Sequence, residues 1–336
     1  MKKTTVVIPN YNGIKYLKDC LNFLKRSRTY DPQGKMNELL LPFHEFDTIV
    51  VDNGSTDASL SLLEREFPNV KVISLKENTG FCHAVNVGIK EAQTPYVLLL
   101  NNDTKVETFF VSKLEQAMDK NNECFSIQGK MLSMKEPEII DDAGDLYCCL
   151  GWAFALGKGM SSTHYDKDAF VFASCAGAAI YRKEIFEQIG YFDENHFAYL
   201  EDIDIGYRAR IYGYQNAIRH DAIVYHAGSG ASGSRYNAFK VDLSSQNSVY
   251  IIHKNMPFLQ WLINMPFLMV GFMIKTLFFI KKGLGLVYVK GLLKGIAKSF
   301  SKTGRAKKVK FSMKHVPNYA KIQLQLWWNL LRRGIG

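Results

Sequence analysis

Two periods of apolar residues organise the N-terminal part of the chain. Thr4-Thr5-Val6-Val7-Ile8-Pro9 is a short β-branched run, the pattern of a buried strand. Ile14, Leu17, Leu21 and Leu24 then recur at helical spacing and predict a helix over 14–25. Residues 28–46 keep neither period, and Asp31-Pro32-Gln33-Gly34 marks a turn within them. Beyond this loop the pattern predicts a strand over Thr48–Val51, a helix over Ser59–Phe67 and a strand over Val70–Leu75. A helix over Gly80–Ala92 and a strand over Tyr96–Leu100 follow. Strands alternating with helices at this spacing predict a parallel α/β sheet.

In such sheets ligands bind beyond the carboxyl ends of the strands. The predicted strand ends carry Pro9-Asn10-Tyr11, Asp52-Asn53, Glu77-Asn78 and Asn101-Asn102-Asp103. One such cluster is an ordinary turn, whereas four in succession predict a shared site along that edge. Residues 125–250 are less regular. They hold the small-residue stretch Ala173–Ala179, the acidic helix start Glu201-Asp202-Ile203-Asp204, an apolar run closed by His226, and the glycine- and serine-rich Ala227–Ser234.

From Met256 the pattern changes. Met256–Ile280 is strongly apolar, with Gln260, Asn264 and Lys275 inside it. At about 100° per residue these three fall within about 60° of one another. That predicts a helix lying in a membrane interface, its polar stripe towards water or protein. Its length also permits a span, against which stand Pro257, Pro266 and Lys275. Lys290, Lys294, Lys298 and Lys302, interleaved with Leu292, Leu293, Ile296 and Phe300, predict a second amphipathic helix with a basic face. Arg305–Lys310 suits anionic headgroups, at about 1 kcal/mol per basic residue near the surface. Trp327 and Trp328 suit headgroup depth.

Charge sharpens this division. Of the 42 Lys and Arg, 16 lie from His253 onward, where there is no Asp or Glu. The remaining 26 face all 32 acidic residues, so a net charge of +10 conceals a body at −6. The expected organisation is a body over 1–252 and a basic, apolar helical tail over 253–336. Such a tail seeks polyanions. No nucleic-acid recognition module appears, so the expected partner is an anionic membrane surface and not nucleic acid. A content of 47% hydrophobic and 22% charged residues is otherwise globular. Cys20, Cys82, Cys124, Cys148, Cys149 and Cys175 form no CxxC pair and read as reduced cytosolic thiols. The N-terminus lacks the long apolar region of a signal peptide.

These residue types suit group transfer from a nucleotide diphosphate. That chemistry needs a cation for the leaving group, a base for the acceptor and a pocket for the nucleotide. Asp103 ends an apolar strand and is the candidate ligand for Mg²⁺ or Mn²⁺, with His226 as a nitrogen ligand. A plain turn and a structural histidine are the competing readings. Asp202 and Glu201 compete as the base, against a helix start that merely suits the macrodipole and an Asp204–Arg208 pair at i, i+4. Asp52 can accept from the N3–H of uracil or thymine, Tyr11 can lie against the base, and Asp57 caps the following helix. The Gly80–Gly88 segment contains neither GxGxxG nor GxxxxGK[ST], which disfavours Rossmann dinucleotide and P-loop chemistry.

Together these segments resemble glycosyltransferase family 2, of GT-A fold, over residues 4–235. The resemblance rests on Val6–Asn12, Ile49–Asp57, Glu77–Phe81 with Asn86–Gly88, Leu99–Asp103, Glu201–Asp204 and His226, in that order. It implies an inverting, metal-dependent transferase with Asp202 as general base and Glu201 and Asp204 on the acceptor side. Pro9, Asn10, Tyr11, Asp52, Asn78, Gly80, Asn86, Asn101, Asn102 and Asp103 would bind the donor, and Asp103 and His226 the metal. Asn101 and Asn53, where many members carry Asp, resemble the rhamnosyltransferase-like branch, which implies dTDP-rhamnose ahead of a UDP-sugar. The implied acceptor is a lipid-linked or other glycan of a cell-surface polysaccharide, reached at the cytoplasmic face of the inner membrane by a peripheral or monotopic protein. Membrane-bound members assemble through such tails, so a homo-oligomer is also implied. A non-catalytic sugar-nucleotide-binding scaffold is the alternative.

Overall fold

The computed structural model describes residues 2–33, 41–228 and 236–335. Gly34 of the expected turn and positions 229–234 of the glycine- and serine-rich run lie outside the described residues. The chain opens with β1 (Thr4–Asn10), α1 (Ile14–Leu24), β2 (Asp47–Asp52), α2 (Ser59–Glu66), β3 (Lys71–Ser74), α3 (Phe81–Glu91) and β4 (Tyr96–Leu100). Each lies where the apolar pattern places it. Then come β5 (Thr104–Val106), α4 (Phe110–Lys120), β6 (Cys124–Ser133), β7 (Ile140–Asp142), β8 (Asp145–Tyr147), β9 (Ala153–Ala155), β10 (Ala169–Val171) and β11 (Ala178–Arg182). The chain continues through α5 (Lys183–Ile189), α6 (Glu201–Ile211), β12 (Gln215–His226), α7 (Ala238–Asn255), α8 (Phe258–Lys281), α9 (Gly285–Phe300), α10 (Lys302–Ala306) and α11 (Val316–Ile335).

The main sheet runs β3-β2-β1-β4-β11-β6-β12-β10, with β5 on β12 and β7 on β6. β3, β2, β1 and β4 are parallel, as expected. Beyond the alternating region the pairing changes: β11 is antiparallel to β4 and β6, and β10 to β12. The sheet is therefore mixed. Successive residues of the parallel strands serve opposite faces. Val6, Ile8, Val50, Leu98 and Leu100 pack with α1, α2 and α4, while Val7, Ile49, Val51, Val97 and Leu99 pack with α3, α5 and α6. Both faces are covered, so the strands read as apolar runs without alternation. Strand order reverses between β1 and β4, which opens the crevice where such sheets bind ligands.

The boundary expected at 252/253 falls inside α7. The helices that follow share a core with the body: Leu268, Tyr319, Ile322 and Leu326 pack with Leu146, Tyr147, Ile203 and Tyr207. α8 lays its polar stripe against protein. Gln260 accepts from the Tyr207 hydroxyl at 2.8 Å, and the Asn264 and Gln323 amides exchange hydrogen bonds at 2.7 and 2.9 Å. α9 packs on α7 through small residues; a Cβ on Gly291 would stand 1.8 Å from the Ser245 hydroxyl oxygen. Its expected basic face is partly turned inward, with Lys294 on Asp242 and Lys298 on the Asn195 carbonyl. Phe258, Leu259, Met269, Leu286, Leu293, Phe300 and Leu324 are more than 60% exposed. The tail thus buries part of its polar stripe and one apolar face, and carries a second apolar face outward beside exposed lysines. α8, at 24 residues, is also long and apolar enough to cross a membrane.

Candidate active site

The carboxyl ends of β1, β2 and β4 converge on one polar cluster. Asn10 donates to Asp52 at 2.9 Å and to Ser55 at 3.2 Å, and accepts from the Asn102 amide at 2.7 Å. Asp52 is fully buried, and its second oxygen accepts from the Ser55 N–H at 3.0 Å. Gly13 makes the Asn10–Asn102 pair possible: a Cβ there would lie 2.0 Å from the Asn102 amide nitrogen and 2.3 Å from the Asn10 oxygen. Tyr11 stands 45% exposed beside this cluster, after half-buried Pro9. Asp57, expected to cap α2, lies one residue before its N-cap Ala58; it accepts from the Ser59 N–H, and its other oxygen takes the Ile14 N–H, both at 3.0 Å.

The loop after β3 is held by asparagines. Asn53 donates to the Asn78 side chain and to the Gly80 carbonyl, and Asn78 accepts from the Gly80 N–H at 3.0 Å. Asn101 sits where β4 ends, its N–H on the Gly177 carbonyl at 2.8 Å. Asn86, expected on the donor, is placed differently. It is buried, donates to the Phe192 carbonyl and Glu194, and accepts from the Phe192 N–H. Its amide ties α3 to the segment before α6.

Asp103 and His226 come together because β12 pairs antiparallel with β5, opposing His226 to Thr104. The His226 Nε2 lies 3.3 Å from an Asp103 oxygen. Its Nδ1 lies 2.8 Å from Asp141, a residue of β7. Burial opposes a charge on the imidazole, but the two carboxylates outweigh it and raise His226 to about 9. A carboxylate behind one ring nitrogen is how a histidine ligand is oriented. Asp103 and His226, with Asp141, are the expected metal residues and could hold a divalent ion once His226 gives up its proton.

Asp202 and Glu201 open α6. Three residues before them hold left-handed backbone: Phe197 (φ 62°), Tyr199 (69°) and Leu200 (65°). Such conformations cost roughly 1–3 kcal/mol each and persist where the surroundings impose them. Here Asn247 of α7 imposes them, its amide donating to the carbonyls of His196, Ala198 and Tyr199 at 3.0, 2.9 and 2.8 Å. Asp202 is half-buried, accepts from the Ile203 N–H at 2.7 Å, and feels Asp145 in its ionisation. Burial lifts Asp202 above its ordinary value, and Asp145 draws it part of the way back. Burial, with the charges of Asp142 and Asp202, holds Asp145 well above the carboxylate range. Glu201 is pushed to about 8 by burial and by Asp202, and its Oε2 is buried without a partner.

Asp204, expected on the acceptor side, is instead the centre of a buried ion network. It accepts from Arg208 at 2.8 Å, Lys254 at 2.8 Å and Asn255 at 2.8 Å, and is wholly buried. Lys254 also donates to Asp193 at 2.7 Å. Against burial, Arg208 and Lys254 hold Asp204 well below the usual range. The i, i+4 pairing is the reading that the geometry supports.

Sequence reasoning passed over Asp141, Asp142 and Asp145. Asp141 turns to His226, while Asp142 turns to the Gln128 amide at 3.1 Å and lies with Asp145 and Cys175 in a cluster whose donor atoms are within 4.8 Å of one another. The run Asp141-Asp142-Ala143-Gly144-Asp145 was the available signal.

Solved structures share this fold. The chain matches a GalNAc-T7 structure with UDP, GalNAc and Mn²⁺ (TM-score 0.54, 13% identity, 75% of this chain and 48% of that one). It also matches Staphylococcus aureus TarS 1-349 in complex with UDP-GlcNAc (TM-score 0.51, 20% identity, 95% and 79%). The fold is GT-A. The chain belongs to glycosyl transferase family 2, whose model matches residues 5–190. Curated relatives include a teichoic acid poly(glycerol phosphate) polymerase of Staphylococcus epidermidis, 31% identical over 116 residues, covering 33% of this chain and 14% of that protein. The poly(ribitol-phosphate) beta-N-acetylglucosaminyltransferase TarS of S. aureus is 34% identical over 106 residues, or 31% and 16%. These matches thus span less than a fifth of either relative.

Proposed function

We propose that the protein is an inverting, metal-dependent glycosyltransferase of cell-surface polysaccharide assembly, working at the cytoplasmic face of the membrane. One observation carries this reading. Asp141 and Asp145 put one short segment against both ends of the site: Asp141 meets His226 beside Asp103, and Asp145 acts on the ionisation of Asp202. A diphosphate held beside Asp103 would present its sugar towards Asp202, the proposed base.

Asp202 accepts the proton of the acceptor hydroxyl as that oxygen bonds to the anomeric carbon from the face opposite the leaving group. The bond from the anomeric carbon to the phosphate oxygen breaks, and nucleoside diphosphate leaves. A divalent ion held by Asp103 and His226 would neutralise charge on that leaving group. Asp145 favours the anionic form of Asp202, and Glu201 stands beside the base at the start of α6. Asp52 and Tyr11 serve the pyrimidine, with Pro9, Asn10, Asn78, Gly80, Asn101 and Asn102 shaping the donor pocket.

The donor is a dTDP- or UDP-sugar. Asn101-Asn102-Asp103 with His226 favours dTDP-rhamnose. The TarS likeness favours UDP-GlcNAc as the second reading, with a polyol-phosphate or lipid-linked glycan as acceptor. The test is nucleoside diphosphate release from a donor panel with Mg²⁺ or Mn²⁺ and a solubilised membrane extract. One donor is expected to turn over, with losses of at least roughly a hundred-fold in Asp103→Ala and Asp202→Asn. Unchanged activity in Asp202→Asn would reject this mechanism, and donor binding without turnover under every condition would favour a scaffold.

A further inference from the structure

We propose that the tail contains a specific binding site for one anionic two-chain lipid, with an acyl chain in each of two grooves and the phosphate between them. This rests on reading the tail as membrane-facing. The first groove, about 830 Å³, lies between α8 and α11 and is lined by Leu259, Ile263, Val316, Ala320, Leu324 and Trp327. The second, about 490 Å³, lies between α7, α8 and α9 and is lined by Met256, Trp261, Met265, Ile296 and Phe300. Both volumes are of the size that holds a small ligand. The grooves meet at Phe258 and Lys308, which line both.

Lys308 also borders a third cavity, about 640 Å³, with Lys90, Lys307 and Lys310 on its rim. Asp193, Glu194, Arg208 and Lys254 line it too, but they are committed elsewhere: Lys254 to Asp193 and Asp204, Arg208 to Asp204, and Glu194 to His83 and Asn86. The four rim lysines leave that cavity basic. The tail has no acidic residue with which to neutralise them.

Full-length protein is mixed with equal phosphatidylcholine and phosphatidylglycerol, extracted in mild detergent and weighed by native mass spectrometry. One phosphatidylglycerol per chain is expected, retained at least about ten-fold over phosphatidylcholine, as a charge-assisted hydrogen bond allows. Lys308→Glu should abolish that preference. Ala320→Trp, a change at an exposed position that fills the first groove, should abolish retention. Lysophosphatidylglycerol, with one chain, should be held at least ten-fold less well. Equal retention of the two headgroups, full retention in Ala320→Trp, or displacement by millimolar inorganic phosphate would each overturn the proposal. Donor turnover in the same samples tests the enzymatic reading separately, since either result can occur with the other's failure.

Discussion

At the scale of single residues, Asp145, Asp202 and Glu201 act on one another's ionisation. Asp145 favours the Asp202 anion, so losing it should raise the Asp202 value further. In Asp145→Ala the acidic limb of the pH–rate profile is expected to move to higher pH, with roughly ten-fold less activity at neutrality. Asp145→Asn keeps a neutral donor and should leave the limb near its wild-type position. A limb that stays put in both variants would make Asp145 a packing residue only. Glu201 gives a stability signature with a definite sign. Its value is raised from 4.5 to about 8, so the folded state holds a proton that the unfolded chain releases. Its contribution is intact below about pH 4.5 and is lost as pH rises towards 8. Glu201→Gln should therefore match wild type at pH 4 and gain relative stability by pH 9, measured by denaturant titration at each pH.

At the scale of elements, α7 is the brace of the catalytic helix. Asn247 fixes three carbonyls of the left-handed segment, and Lys254 and Asn255 fix Asp204, two residues after the base. Asn247→Ala strands those carbonyls and is expected to cost about 2–4 kcal/mol. Lys254→Met leaves Asp193 and Asp204 short of a buried cation and is expected to cost about 3–5 kcal/mol. Urea unfolding reads both. This brace also marks the limit of what the sequence reveals. β1 to β4 were legible because apolar period and polar strand ends are local signals, and Asp103 with His226 followed from their strand-end positions. Asp204 was not legible. An acid in a first helical turn looks the same whether it meets a substrate or a lysine fifty positions later. β7 was missed because three residues carry no period, although its Asp141 meets His226. The tail showed a polar stripe but not its direction, since only packing against Tyr207 and Gln323 decides which face is inside.

At the scale of the whole molecule, the outward apolar face of the tail is the feature that water does not explain. A soluble monomer rarely leaves a contiguous apolar face of this extent on its surface. Three helices that point Phe258, Leu286, Leu293 and Leu324 outward present a face suited to hydrocarbon. Each such side chain gains roughly 1.5–3 kcal/mol on leaving water, whereas the lysines gain through charges that salt screens. The two contributions separate in vesicle flotation. Wild type should remain on anionic vesicles in 1 M salt, at about a 3 Å screening length. Replacing Phe258, Leu286, Leu293 and Leu324 with Ser should release it in low salt despite its unchanged charge. Release of wild type by salt alone would make the attachment electrostatic. A protein that ignores vesicles and sediments as an oligomer with these faces covered would assign the apolar surface to a second copy of the chain.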